Sequence, residues 1–152
     1  MAASASASTQ LPAMPLDAWA ETKQTLHRFV QIVGKIRLAE KFAAFNDHWS
    51  PKIVGQINDL HLKAAKGVGE FVWRTHETTD EFFLVRSGRL TIRLRGHDDV
   101  SVGSGEFFVV PRGVEHCPVA EAECEILLLE PAGITNTGDV VDTHLTAQDE
   151  WI

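Results

Sequence analysis

Short apolar segments follow one another at near-regular intervals through the middle of the chain, and this repetition limits the possible folds most. Between residues 52 and 130 these segments alternate with turns at Ser87-Gly88, Gly96 to Asp99, Gly103 to Gly105 and Pro111 to Gly113. Short strands joined by glycine-rich turns are typical of sandwiches and barrels rather than of parallel βαβ sheets. The sequence therefore predicts an all-β protein, a barrel or jelly roll.

A helical pattern precedes the strands. Apolar residues recur at the spacing of one helix face, with Asp17 in position to cap the N-terminus: Trp19, Leu26, Phe29, Val30, Val33 and Ile36. Gly34 interrupts this pattern, so we expect a long helix and then a short one near Leu38 to Phe45. The apolar face is expected to pack on the barrel or on a second subunit. The run QIVGKIRLA within it resembles the opening of an uncharacterised bacterial domain family, from which no function follows.

The chain of 152 residues is long enough for one domain with a substantial core. Composition and pattern divide it into four parts. We predict a disordered Ala/Ser/Pro-rich tail over residues 1–15, an N-terminal helical extension over 16–48, a barrel over 49–132 and an irregular C-terminal tail over 133–152.

Charge and composition exclude several function classes. The net charge of −7 and the pI near 5.4 argue against a nucleic-acid or membrane-surface partner. No apolar run reaches the roughly 18 residues of a membrane span, and the N-terminus lacks the features of a secretory signal. Two cysteines, Cys117 and Cys124, do not make a disulfide framework. We therefore expect a cytoplasmic protein.

Chemically reactive residues stand inside the segment VWRTHETTDEFFLV. Arg74 and His76 alternate along a predicted strand and would share one face, while Glu81 would share a face with Phe83 and Val85 on the next strand. A buried glutamate is costly unless another charge compensates it. Either a metal ion or Arg74 would do so, and the sequence leaves both possibilities open.

The spacing of these residues resembles the first motif of the cupin superfamily, G-x5-H-x-H-x3–4-E-x6-G. His76, Glu81 and Gly88 keep the spacing of the motif, and Gly69 lies close to the position of its first glycine. Arg74 stands where the family has a histidine. The resemblance implies a double-stranded β-helix barrel over about residues 50 to 132.

A second motif of the same family, G-x5-P-x-G-x2-H-x3-N, follows in the expected order. Gly105, Pro111, Gly113 and His116 match it, and Ala120 replaces the asparagine. Both motifs occur in the family's order on a chain whose pattern already predicts a barrel. The resemblance is therefore a specific indication of the fold.

The resemblance implies a metal site made of His76, Glu81 and His116. Arg74 occupies the position of the fourth family ligand but cannot coordinate a metal, because its guanidinium stays protonated. Two histidines and one carboxylate still suit a divalent ion such as Fe, Mn, Ni or Zn. Arg74 would then bind an anionic group on a substrate, or would instead pair with Glu81 or turn out of the barrel mouth.

Two functions follow from this resemblance. One is a metal-dependent enzyme, of oxygenase or isomerase type, that acts on a small anionic molecule. The alternative is a metal-free barrel that binds or senses a small ligand, with Arg74 neutralising Glu81. The family also implies a homodimer.

Outside the site, we expect the remaining histidines in surface-like or helical positions and a set of apolar side chains inside the barrel. The histidines are His27, His48, His61, His97 and His144; the core set is Phe83, Val85, Phe107, Phe108 and Leu127 to Leu129.

Overall fold

The computed structural model describes residues 34–140 and 144–152. The predicted tail, the long helix with its apolar face up to Val33, and His27 lie outside the described residues. The described chain has one short helix and eight strands: α1 Leu38–Ala43, β1 Lys52–Ile57, β2 Leu60–Glu70, β3 Glu81–Ser87, β4 Arg89–Leu94, β5 Val100–Gly103, β6 Phe107–Val110, β7 His116–Pro131 and β8 Glu150–Trp151. The all-β prediction is confirmed.

Strand β7 organises the fold because its 16 residues belong to two layers at once. Its first residues pair with β4, which pairs in turn with β5. Its last residues lie between β2 on one edge and β3 on the other, and β3 carries β6 as its outer neighbour. Strands β1 and β8 extend the sheet beyond β2. The segments HCPVA and CEILLLE belong to this one strand, because no turn residue separates them.

The core lies between the layers and is filled by alternate residues of the strands. In β3 the side chains of Glu81, Phe83 and Val85 point inward, whereas the intervening ones are half-buried. In β4 the inward residues Leu90 and Ile92 are fully buried. The period of two in the sequence thus corresponds directly to the inner and outer faces of each strand.

The outer face of the sheet has a smaller apolar cluster of its own. Helix α1 lies on this face and buries Phe42 against strand residues that include Ala64 and Leu127. We expected Leu127 inside the barrel, but its neighbours Ile126 and Leu128 have that position and Leu127 points to the helix. A single shift of one residue along a strand changes the face, which explains the difference.

Two segments depart from the predicted pattern. Residues 71–80 were expected to start as a strand, yet they form only an isolated bridge between Arg74 and His116. The backbone N–H groups of these two residues each donate to the other's carbonyl at 2.9 Å. Residues 133–140 and 144–149 form neither helix nor strand. Glu150–Trp151 adds a short parallel strand beside β1.

Gly67 provides a test of how tightly the barrel packs. A Cβ at this position would lie 2.5 Å from Cη2 of the Trp49 indole, and that ring is fixed by a hydrogen bond to Val68 O and by stacking on Phe71. We expect Gly67→Ala to lower the free energy of unfolding by about 1–3 kcal/mol, because the ring cannot move without strain.

Urea unfolding checks this expectation, with Gly103→Ala as the matched control. At Gly103 the added methyl would meet only the flexible Glu106 side chain, at 3.2 Å. Equal midpoints for the two variants would show that Trp49 is free to shift.

Candidate functional site

The four residues singled out by the sequence come together in the structure. Glu81 is the first residue of β3, His116 is the first residue of β7, and Arg74 and His76 lie on the segment that precedes β3. All four are at least nine-tenths buried. The loop before His116 is held against this segment, since Gly113 N donates to His76 O at 2.9 Å.

Arg74 and Glu81 form a buried ion pair. Arg74 Nη2 lies 2.5 Å from Glu81 Oε1, and both side chains are less than 5% exposed. Burial by itself would raise the pKa of Glu81, but the Arg74 guanidinium, together with the adjacent imidazoles of His116 and His76, holds that pKa well below its usual value. Glu81 is therefore a carboxylate with one oxygen engaged by Arg74 and the other facing the two imidazoles.

The protonation of His116 follows from its two neighbours. Nδ1 lies 2.9 Å from Val114 O, and a carbonyl can only accept, so Nδ1 carries the proton and donates. Nε2 lies 2.8 Å from Glu81 Oε2, which as a carboxylate oxygen also only accepts. A neutral His116 would thus point a lone pair at a negative oxygen. A second proton on the ring, or a metal ion bound by both atoms, would relieve this repulsion.

His76 approaches the same oxygen. Its Nε2 is 3.1 Å from Glu81 Oε2 and makes no hydrogen bond, although the side chain is buried. Two ligand atoms that bind one ion at about 2.1 Å and at right angles are about 3.0 Å apart, so the separations of 2.8 and 3.1 Å suit shared ligation. Even so, no group of three or more His, Cys, Asp and Glu side chains in residues 34–140 and 144–152 is already spaced as a metal centre.

Arg74 has donors to spare. Its Nε and Nη1 are buried without a hydrogen-bond partner, while the guanidinium carbon lies 5.0 Å from the Phe71 ring centre. Beside them is a cavity of about 20 Å³, lined by Arg74, Glu81 and Glu130 among apolar side chains. This volume holds about one or two water molecules. On the other side, His76 borders an open cleft of about 240 Å³ between residues 77–79 and 133–139.

Sequence reasoning missed a second charged group at this cavity. Glu130 is 3% exposed and lies 2.8 Å from the Nζ of Lys63, which also binds Asp149 at 2.7 Å. Burial raises the pKa of Glu130, although Lys63 opposes that change. The period of two along each strand carried the signal. Lys63 lies two residues before the buried Ala65, and Glu130 lies two residues after Leu128, so both share the inward face of their strands.

Two further expectations were wrong. His61 was expected at the surface, but it lies two residues before Lys63 on the same inner face of β2 and is 5% exposed. Phe107 was placed in the barrel, but it points outward from β6 and is 63% exposed. His48, His97 and His144 are exposed as expected. No helix in the described part of the chain is both long and apolar enough to cross a bilayer.

Two family models match the sequence. The cupin domain matches residues 61–130, which include all four site residues. A family of unknown function, DUF5996, matches residues 11–57, which include the predicted helical segment, α1 and β1. The resemblance of the N-terminal run to an uncharacterised family is consistent with this second match.

Similarity to solved structures and to a curated protein extends over the barrel. Hydroquinone 1,2-dioxygenase PnpCD, in complex with Cd2+ and 4-hydroxybenzonitrile, aligns over 61% of this chain and 70% of its own with a TM-score of 0.54 and 18% identity, a likeness of fold. The uncharacterised protein YdbB of Bacillus subtilis is 27% identical over 63 residues, which are 41% of this chain. The match spans 56% of the length of that relative.

A much closer similarity identifies the family. A cupin-2 domain containing protein from Shewanella frigidimarina NCIMB 400 is 45% identical, with a TM-score of 0.62 over 63% of this chain and 93% of its own. The barrel is accordingly a double-stranded β-helix, and the chain belongs to the cupin superfamily.

Proposed function

We propose that this cupin binds a divalent metal ion through His76, Glu81 and His116. The observation that carries the proposal is the hydrogen bond from His116 Nδ1 to Val114 O, which turns the Nε2 lone pair towards Glu81 Oε2. Metal-bound histidines are commonly held in this way, with the second ring nitrogen donating to a backbone carbonyl. The partnerless Nε2 of His76 at the same oxygen supports the assignment.

The charges around the site permit a cation despite Arg74. Two cationic groups, Arg74 and Lys63, stand near three carboxylates, those of Glu81, Glu130 and Asp149. Before a divalent ion binds, the net charge of these five groups is therefore not positive, and they would not repel the ion. Because both imidazoles approach one oxygen, we expect small side-chain movements when the ion binds.

The bound ion would act as a Lewis acid or as an oxygen-binding centre with open positions, as a set of two histidines and one carboxylate allows. Arg74 fixes the carboxylate of Glu81 through one oxygen, lines the cavity, and has two donors without a partner. We propose that these donors orient an anionic group, and the cavity of about 20 Å³ limits that group to a few atoms. The relatives of similar fold include dioxygenases of small aromatic molecules, so oxygenase or isomerase chemistry is proposed.

Metal content is the direct test of the site. Purified, untagged protein is expected to contain close to one equivalent of Fe, Mn, Ni or Zn by elemental mass spectrometry. His76→Ala should lose most of it, because two ligands remain. His48→Ala is the matched control, since His48 is exposed and binds only Glu123 at 2.9 Å. Protein that stays metal-free after incubation with these ions would refute the proposal.

Substitution of the missing family ligand measures what Arg74 does to the site. If the natural site binds metal, Arg74→His should strengthen Zn²⁺ affinity only modestly, because one ligand is gained and one carboxylate contact is lost. Isothermal titration of Zn²⁺ into metal-free protein gives both affinities. Binding that occurs in the variant alone would show that Arg74 excludes the ion.

A metal-free function is the second candidate, and the Arg74–Glu81 pair favours it. The guanidinium already neutralises the carboxylate, and a second proton on His116 would satisfy Nε2. The barrel would then bind or sense a small anionic ligand at the partnerless donors of Arg74.

Unfolding experiments with a chelator test this second candidate. Arg74→Met should lower the free energy of unfolding by about 3–5 kcal/mol, because Glu81 would be left buried and unpaired. The effect should shrink in a Glu81→Gln background. Arg93→Met is the matched control at an exposed pair with Glu70, where about 0–1 kcal/mol is expected. Marked stabilisation of the unmodified protein by added Zn²⁺ would count against a metal-free site.

A further inference from the structure

Trp49 has a backbone conformation that bulky residues rarely adopt. Its φ is 55°, in the left-handed region, where the Cβ crowds the following carbonyl oxygen. Such a conformation persists only where the surrounding structure fixes it, and it is concentrated at ligand sites and switch regions. Trp49 is 9% exposed, so the conformation does not belong to a turn in solvent.

Hydrogen bonds fix both the backbone and the ring of Trp49. The backbone N–H donates to Lys66 O at 2.7 Å, and the indole N–H donates to Val68 O at 2.9 Å. The backbone carbonyl accepts from Asn136 Nδ2 at 3.0 Å. The indole is therefore held in one position between β2 and the irregular segment that follows β7.

Asn136 uses its whole side-chain amide for this purpose. It is 8% exposed, and Nδ2 also donates to Leu145 O at 2.8 Å. Its Oδ1 accepts from the Ala147 N–H at 2.9 Å. The side chain cannot rotate without losing three hydrogen bonds, so the strain at Trp49 is maintained by a segment that is distant in sequence.

The fixed indole forms one wall of the cavity beside Arg74. Trp49 and Asn136 line this cavity of about 20 Å³ together with Arg74. The indole stacks on Phe71, with 5.0 Å between the ring centres, and the guanidinium carbon of Arg74 lies 5.0 Å from the centre of the same Phe71 ring. Phe71 thus contacts both the cation and the indole, and the size of the cavity depends on where the indole lies.

We infer that the Trp49 indole sets the size of the group that the Arg74 donors bind. The cavity holds about one or two water molecules, which suits formate better than acetate or benzoate. Without the indole, a space about the size of an aromatic ring would open among apolar side chains, beside a guanidinium with two partnerless donors. Selection for a small anionic group is then steric. This inference rests on the proposed anion-binding role of Arg74.

Carboxylates of increasing size test the inference. Formate, acetate and benzoate are titrated into the isotope-labelled full chain and followed by amide chemical shifts, and only binding that Arg74→Met abolishes is counted. One extra methylene in a closely fitting pocket is worth about tenfold or more, so the unmodified protein should prefer formate to acetate by at least about tenfold. Trp49→Ala should reduce that preference by about tenfold and should also bind benzoate.

Two further variants complete the design. Trp73→Ala is the matched control, because it removes an indole outside the cavity, where the exposed Arg95 stacks at 3.9 Å from the ring centre. It should leave the preference for formate unchanged. Trp49→Phe keeps an aromatic ring in the core and should admit acetate but not benzoate. If circular dichroism shows that Trp49→Ala does not fold, Trp49→Phe decides the question.

Every other result overturns the inference. An unchanged preference in the Trp49 variants would mean that a different wall limits the cavity. Benzoate binding that persists when Arg74→Met is added to Trp49→Ala would mean that the new space acts without the guanidinium. An equal gain in Trp73→Ala would indicate a general loosening of the barrel.

Failure of the proposed anion site would look different. In that case no carboxylate would bind the unmodified protein in a way that depends on Arg74, and the role of Trp49 would fail with it. Formate binding that depends on Arg74, combined with unchanged selectivity in the Trp49 variants, would retain the anion site and refute only the role of the indole.

Discussion

The carboxylate of Glu81 is the group on which the arrangement of the site depends. It is buried at the start of β3, where a charge is tolerated only if partners surround it. Arg74 engages one oxygen and the two histidines approach the other. Each partner comes from a segment that the barrel brings together, so the cost of burying one charge is offset only when the fold is complete.

The same arrangement allows two chemical states. Arg74 stays charged and pairs with one oxygen of Glu81, whereas either a proton or a metal ion would suit the contact between His116 Nε2 and Glu81 Oε2. Here one oxygen is committed to Arg74. The replacement therefore places a fixed cation beside the two histidines and the carboxylate.

The barrel carries a second polar group that the family motifs do not include. Lys63 joins Glu130 on β7 to Asp149 near the C-terminus, so the short strand β8 is connected to the cavity that Arg74 also lines. The C-terminal segment thereby contributes to the charge of the interior. On the opposite side of the sheet, α1 packs on a separate apolar cluster that includes Ala64 and Leu127.

The sequence alone determined the fold class and the set of site residues. The strand period and the glycine turns are local properties, and the motif spacing places Arg74, His76, Glu81 and His116 at equivalent positions of a known barrel. It could not decide between Arg74 as a ligand-binding group and Arg74 as the partner of Glu81. Only the tertiary structure shows the pair with Glu81, because the 2.5 Å contact depends on how the segment before β3 bridges to β7. The inward positions of Lys63 and Glu130 and the outward position of Phe107 were also decided there, since pairing register selects the buried face of each strand.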